Sequence, residues 1–208
     1  MTTAASTRRF TGDFRADVLV AVVVAAALAG AFFYKQSLSA QITRVSDPHS
    51  GFALSIPGHW TTKDAGELSA DTFVEAFNSR ADSVYKSTVI AQSFLIDPDN
   101  PVAIATIVDR IIQRHGDELL GYQLLDIQPI AIAGAEAQQI DYAYVARPID
   151  DPFMASPPVV VLATGYVIFD RFLTQYWIVT LTADEKIADK ERADFDSILK
   201  SITLPQRG

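Results

Sequence analysis

Residues 159–182 read VVVLATGYVIFDRFLTQYWIVTLT. Two runs rich in β-branched and aromatic residues, 159–169 and 176–182, flank the connector Asp170-Arg171-Phe172-Leu173-Thr174, which is the pattern of an antiparallel hairpin. Downstream, Thr182-x-x-Glu185 has the form of a capping box. The chain to about Ser201 keeps Phe195, Ile198, Leu199 and Ile202 on one helical stripe. A helix with such a stripe must lay it on a sheet. Upstream, Ile140, Tyr142 and Tyr144 alternate with Asp141, Ala143 and Val145, and Leu125 and Ile127 alternate with Asp126 and Gln128, so two further strands are expected.

The strongest helix signal precedes them. Asn100 can cap, Pro101 suits the first helical position, and Ile104, Ile107, Val108 and Ile111 recur at helical spacing before Gly116, where a stop is expected. Residues 88–96 (TVIAQSFLI) form a β-rich run closed by Asp97-Pro98-Asp99-Asn100. Phe52, Leu54 and Ile56 alternate with Ala53 and Ser55 until Pro57-Gly58 ends the run. Residues 68–80 fit two periods, because Phe73 and Phe77 share a face on either a helix or a strand. Strands in runs, with a helix in the middle and another at the end, predict an α+β fold: a central antiparallel sheet flanked by helices.

The chain has 208 residues, 49% of them hydrophobic, which excludes a disordered protein; the absence of cysteine excludes disulfide scaffolds, thiolate zinc sites and cysteine nucleophiles. Its formal net charge is −8. Residues 1–40 hold Arg8, Arg9, Arg15 and Lys35 against Asp13 and Asp17, a balance of +2, so residues 41–208 carry −10. An acidic domain without a Lys/Arg stripe repels phosphate backbones, and no nucleic-acid partner is expected.

Residues 18–34 (VLVAVVVAAALAGAFFY) are 17 consecutive uncharged residues. As a helix they span roughly 25 Å, near the lower limit for a ~30 Å hydrocarbon core. Phe32, Phe33 and Tyr34 suit an interfacial belt, and Lys35 can snorkel. The expected layout is a basic tail at 1–17, a transmembrane helix at 18–34 in contact with lipid, a linker at 35–43, an α+β domain at 44–204 and a tail at 205–208. Arg8, Arg9 and Arg15 before the helix, against Lys35 and Arg44 after it, place the N-terminus in the cytoplasm and the domain outside. The alternative is a signal peptide cut at Ala27-Leu28-Ala29 or Ala29-Gly30-Ala31, which would leave a secreted or periplasmic domain. The apolar run continues past both sites, which favours retention.

Motifs of chemistry are missing. His49, His59 and His115 stand beside turns or a helix end and lack metal-ligand spacing, although a site assembled in space is the other reading. No nucleophile elbow, phosphate loop or dinucleotide fingerprint occurs. Asp97, Asp99 and Asn100 could offer oxygens to Ca²⁺, but the stretch lacks the later Gly and Glu of a calcium loop, and turn duty accounts for them. Asp150-Asp151 lies in a proline-rich loop, and Trp60 reads as a core plug at a strand corner. No catalytic, cofactor or metal residues are assigned. The loop 147–158 (RPIDDPFMASPP) is long for a strand connection, and Ile149, Phe153 and Met154 in it are the candidate partner contacts.

Three stretches resemble the PsbP-like superfamily, which includes bacterial envelope proteins of the DcrB type. They are Gly51-Phe52-Ala53-Leu54-Ser55-Ile56-Pro57-Gly58-His59-Trp60; Ile132-Ala133-Gly134-Ala135-Glu136-Ala137 followed by Ile140-Asp141-Tyr142; and the closing Phe195-x-x-Ile198-Leu199-x-Ser201-Ile202. The resemblance covers residues 44–204 and rests on packing motifs. It implies a central antiparallel sheet between helical layers and a non-enzymatic accessory or assembly subunit of a larger membrane complex, without a cofactor. The apparent anchor departs from the photosystem members, so a photosynthetic role is not carried over.

Overall fold

The structure is a computed structural model that describes residues 18–30, 42–99, 102–147, 156–170, 172 and 174–205. The chain divides into two compact units, Met1–Gln41 and Ile42–Gly208. In the first, residues 18–30 form helix α1, with every residue exposed. Residues 31–34 of the expected span lie outside the described residues, and among the described residues no helix is long and apolar enough to cross a membrane.

The second unit has the α+β architecture expected from the strand and helix order. Its elements are β1 (Ile42–Ser46), β2 (Ala53–Pro57), β3 (Trp60–Thr62), β4 (Thr72–Asn78), β5 (Thr88–Leu95), α2 (Ile104–Glu118), β6 (Gln123–Ile132), β7 (Ala135–Ala146), β8 (Val159–Phe169), β9 (Gln175–Asp184) and α3 (Ala188–Lys200). Strands β3-β4-β5-β9-β8-β7-β6 make one antiparallel sheet, and β1 and β2 pair separately. The β8–β9 hairpin is central, with Phe169 opposite Tyr176 and Ala163 opposite Thr182.

Residue alternation sends each strand's side chains to two faces, and both faces are covered over the centre of the sheet. Trp177, Val179 and Leu181 of β9 join Val89 and Ala91 of β5 under a lid made by Phe52, Leu54 and Ile56 of the β1–β2 hairpin and Ile198 of α3. On the opposite face Ile107, Val108 and Ile111 of α2 pack on Ile140, Ala163, Val167 and Ile178. Phe73 and Phe77 belong to β4. A register shift between Thr72 and Val74 makes Phe73 the extra residue, and it packs edge-on to Phe52, 5.7 Å between centroids.

Helix boundaries differ from the sequence expectation for local reasons. Thr182 stays in the sheet opposite Thr88. The turn into α3 is organised two residues later, where the Asp184 carboxylate accepts the Lys186 N–H at 3.0 Å and its carbonyl accepts the Ile187 N–H. α2 runs through Gly116 to Glu118, and the positive φ after the helix falls at Gly121 (φ 64). Asn100 and Pro101, the expected start, lie outside the described residues; α2 itself begins at Ile104, with Ala103 as its N-cap.

The β1–β2 turn is fastened to the sheet through a buried acid. Asp47 accepts hydrogen bonds from the His49 N–H and the Ser50 hydroxyl, Ser50 Oγ accepts the Trp177 indole N–H at 3.1 Å, and Phe52 stacks on Trp177 at 5.0 Å. Burial pushes the Asp47 carboxyl up, but the hydrogen bonds from Ser50, His49 and Ser93 outweigh it and hold it below its ordinary value. As pH falls, the unfolded carboxyl takes its proton first, so this stabilisation is present near neutrality and drains away in acid. Asp47→Asn is expected to be less stable than the native chain at neutral pH, with the gap closing below about pH 5 in urea titrations run as a pH series. Ile198, the fully buried residue on the inner side of α3, is expected to cost about 2–5 kcal/mol on substitution by Ala, whereas Leu95→Ala at an 83% exposed position should stay within about 0.5 kcal/mol of native.

Candidate functional site

α3 and the β1–β2 hairpin together do not cover the whole of their sheet face. Toward β7 and β8 the residues on that face turn polar: Gln139 stands opposite Tyr166, and Asp141 opposite Thr164. One step along the same strands the facing pair is Ala137 and Ile168, both fully buried core residues. The change of chemistry marks the floor of a cleft of about 640 Å³. Leu162, Leu181 and Ala183 complete the floor, Phe195 and Leu199 of α3 form one wall, and Asp126, Arg192 and Asp196 supply the charges of its lining.

The polar floor is organised around one carboxylate. Asp141 accepts Gln139 Nε2 at 2.7 Å on one oxygen and the Thr164 hydroxyl at 2.6 Å on the other. Burial, with Asp141 and Asp196 nearby, pushes the Tyr166 phenol up to about 12, so it is protonated at physiological pH. A carboxylate held by two donors beside a protonated phenol offers an acceptor and a donor side by side on the cleft floor.

The histidines fall in three separate places. His49 is exposed in the β1–β2 turn, 3.6 Å from Asp47. His59 follows β2, and its Nε2 lies 2.7 Å from Asp194 Oδ2, the same oxygen that accepts the Trp60 indole N–H at 2.9 Å. Trp60 is buried and packs edge-on to Phe195, which matches its reading as a core plug. His115 sits in the last turn of α2 with its ring 4.8 Å from that of Tyr142; burial, then the charge of Arg114, hold it below its ordinary value. Among the described residues no group of three or more His, Asp or Glu is placed to hold a metal ion. The Asp99 N–H donates to Asp97 at 3.0 Å, the turn role expected of that pair.

Other groups were invisible in the sequence. Tyr85, Tyr144 and Thr182 join their hydroxyls at 2.8–2.9 Å across elements up to 97 residues apart, and burial pushes the Tyr144 phenol far up. Gln139, Asp141, Thr164 and Tyr166 also carried no motif; their only signal is a polar position on a strand face whose other members are apolar. Ile149, Phe153 and Met154, the expected partner contacts, lie outside the described residues, as do Asp150 and Asp151.

No family model matches the chain, and no curated protein matches its sequence. Solved structures do match its fold. PsbP of the cyanobacterium Synechocystis sp. PCC 6803 superposes with a TM-score of 0.56 at 15% identity, over 80% of this chain and 94% of that one. LpqN of Mycobacterium tuberculosis, described as involved in cell envelope biogenesis, superposes with a TM-score of 0.53 at 19% identity, over 79% and 91%. At such identities the likeness concerns the backbone alone, and it shows that the unit beginning at Ile42 has a PsbP-like fold.

Proposed function

We propose that this chain is a non-enzymatic, membrane-anchored accessory or assembly subunit whose extracytoplasmic domain docks on a larger membrane complex. The observation that carries the reading is α1. All 13 of its described residues are uncharged and exposed, and an apolar helix of that kind is unstable in water until lipid or protein covers it. The uncharged run continues to Tyr34 in the sequence, and a lipid bilayer is the cover proposed. The N-terminus is proposed to be cytoplasmic, from Arg8, Arg9 and Arg15. A fold shared with cyanobacterial PsbP, and with a protein involved in cell envelope biogenesis, supports an envelope or lumenal accessory role. The hydrogen-bonded floor of the α3 cleft supports a binding role.

A second reading has its own observation. The cleft of about 640 Å³ is within the size range of small-molecule sites and mixes apolar walls with a few converging polar groups. On this reading the domain is a tethered ligand-binding module. Thermal-shift screening separates the two, because a small ligand at 100 times its Kd adds about 2.7 kcal/mol, an increment that Tyr166→Phe should reduce.

The docking reading is tested on native membranes solubilised in mild detergent. The chain is expected to migrate with other subunits, and its intact mass should include residues 18–34. A strictly monomeric species overturns the docking role, and a mature N-terminus at Gly30 or Phe32 overturns the anchor. Val24→Arg, near the middle of the run, should cost about 2.5–3.5 kcal/mol of insertion free energy and lower the membrane-bound fraction.

A further inference from the structure

β6 is the outer strand of the seven-stranded sheet, and it is ten residues long. A strand of that length presents a row of unpaired backbone groups to any other strand that arrives. Leu124, Leu125 and Ile127 on it are all exposed, which adds an apolar reward for pairing. The opposite edge, β3, has only three residues. β6 is therefore the place where two copies of this chain would join sheet to sheet.

Which of its amides face outward follows from the turn. Ala133 (φ 50) and Gly134 (φ 83) connect Ile132 to its partner Ala135, a two-residue loop with both φ values positive. The residues flanking such a loop form a hydrogen-bonded pair, and the pairs alternate from there. Ile130 and Gln128 therefore bond to β7, while Ala131, Pro129 and Ile127 point their backbone groups at the free edge. Pro129 has no N–H to offer. The Ile127 N–H is already taken, donating to Asp126 Oδ1 at 2.9 Å. Beyond Asp126 the register breaks: Asp126 faces Asp141 but Leu124 faces Tyr142, so Leu125 is an extra, bulged residue. Of the three outward amides between the bulge and the turn, Ala131 alone is left to donate to an incoming strand.

We propose that Asp126, Pro129 and the Leu125 bulge close β6 to strand addition and so keep this chain from pairing edge to edge with a second copy. Asp126 acts as a side-chain substitute for the missing partner strand, Pro129 deletes the next donor, and the bulge ends the regular ladder. Each device alone leaves a gap that an incoming strand could bridge. Together they leave fewer consecutive donors than an antiparallel pair needs.

The test reopens the edge in the full-length chain. Asp126→Ala combined with Pro129→Thr restores two adjacent outward donors. Sedimentation in the same detergent should show at least a tenfold rise in self-association over the native chain, with each single variant in between. Asp117→Ala, which removes an exposed charge on α2, controls for net charge and should behave as native. Because the chain has no cysteine, Gln128→Cys in the double variant should give a β6–β6 disulfide under mild oxidation. A double variant with a native circular-dichroism spectrum and native self-association overturns the proposal. Should the double variant not fold, amide exchange in the native chain decides: Ile127 should exchange at least tenfold more slowly than Ala131, and Asp126→Ala should erase the difference. Equal rates at the two amides in the native chain overturn it as well.

Discussion

β9 is buried along both of its faces for most of its length. Of its ten residues, Gln175, Trp177, Ile178, Val179, Leu181, Thr182, Ala183 and Asp184 are all buried, although alternation sends them to both faces of the sheet. A strand of this kind cannot sit at an edge or on a one-sided sheet, so the chain must supply a layer above it and a layer below. α2 supplies one. The other needs two pieces, because α3 is only 13 residues long and leaves the β4–β5 side to the β1–β2 hairpin. The buried Asp47–Ser50–Trp177 linkage follows from the same demand: the hairpin's turn lands on the central strand, and the indole N–H there needs an acceptor once it leaves water.

The same division of labour explains why the cleft exists. The two pieces of the lid meet over β9 and β5, and neither extends fully across β7 and β8. Where the lid stops, apolar residues on the sheet face would be exposed, and Gln139, Asp141, Thr164 and Tyr166 stand there instead. Gln139 and Thr164 satisfy Asp141 internally, which keeps a carboxylate on a half-buried sheet face. The polar part of the floor is thus held together by its own hydrogen bonds.

Periodicity was the legible part. The hairpin of 159–182, the α2 stripe and the α3 stripe each repeat over two or more turns or several alternations, and burial requires that repetition. Residues 68–80 could not be resolved because i, i+4 spacing satisfies both periods, and the bulge at Phe73 breaks the strand's own alternation. The start of α3 misled for another reason: Thr182 and Glu185 have the right spacing for a cap, but pairing with β5 and β8 holds Thr182 in the ladder. The cleft was illegible because Asp141 reads as an ordinary outward residue on an alternating strand. Its face is buried or open depending on how far α3 reaches, and no local pattern encodes that distance. Asp194 is a similar case, since its two donors, His59 and Trp60, arrive from more than 130 residues away.

Closed edges constrain how such a domain can meet a partner. With β3 reduced to three residues and β6 bulged, proline-bearing and self-capped, strand addition is the least available mode of contact. What remains is contact through side chains on the helices, the loops and the open part of the α3-side sheet face. Contact of that kind is set by shape and charge, and the unit carries most of the chain's negative charge. An anchored domain adds one more factor. Tethering to a membrane raises the local concentration of any partner in the same membrane, so a side-chain interface of modest area suffices where a free domain would need a larger one. The proposed anchor and the closed edges are in this sense complementary: one concentrates the domain among membrane proteins, and the other keeps crowded copies from joining their sheets.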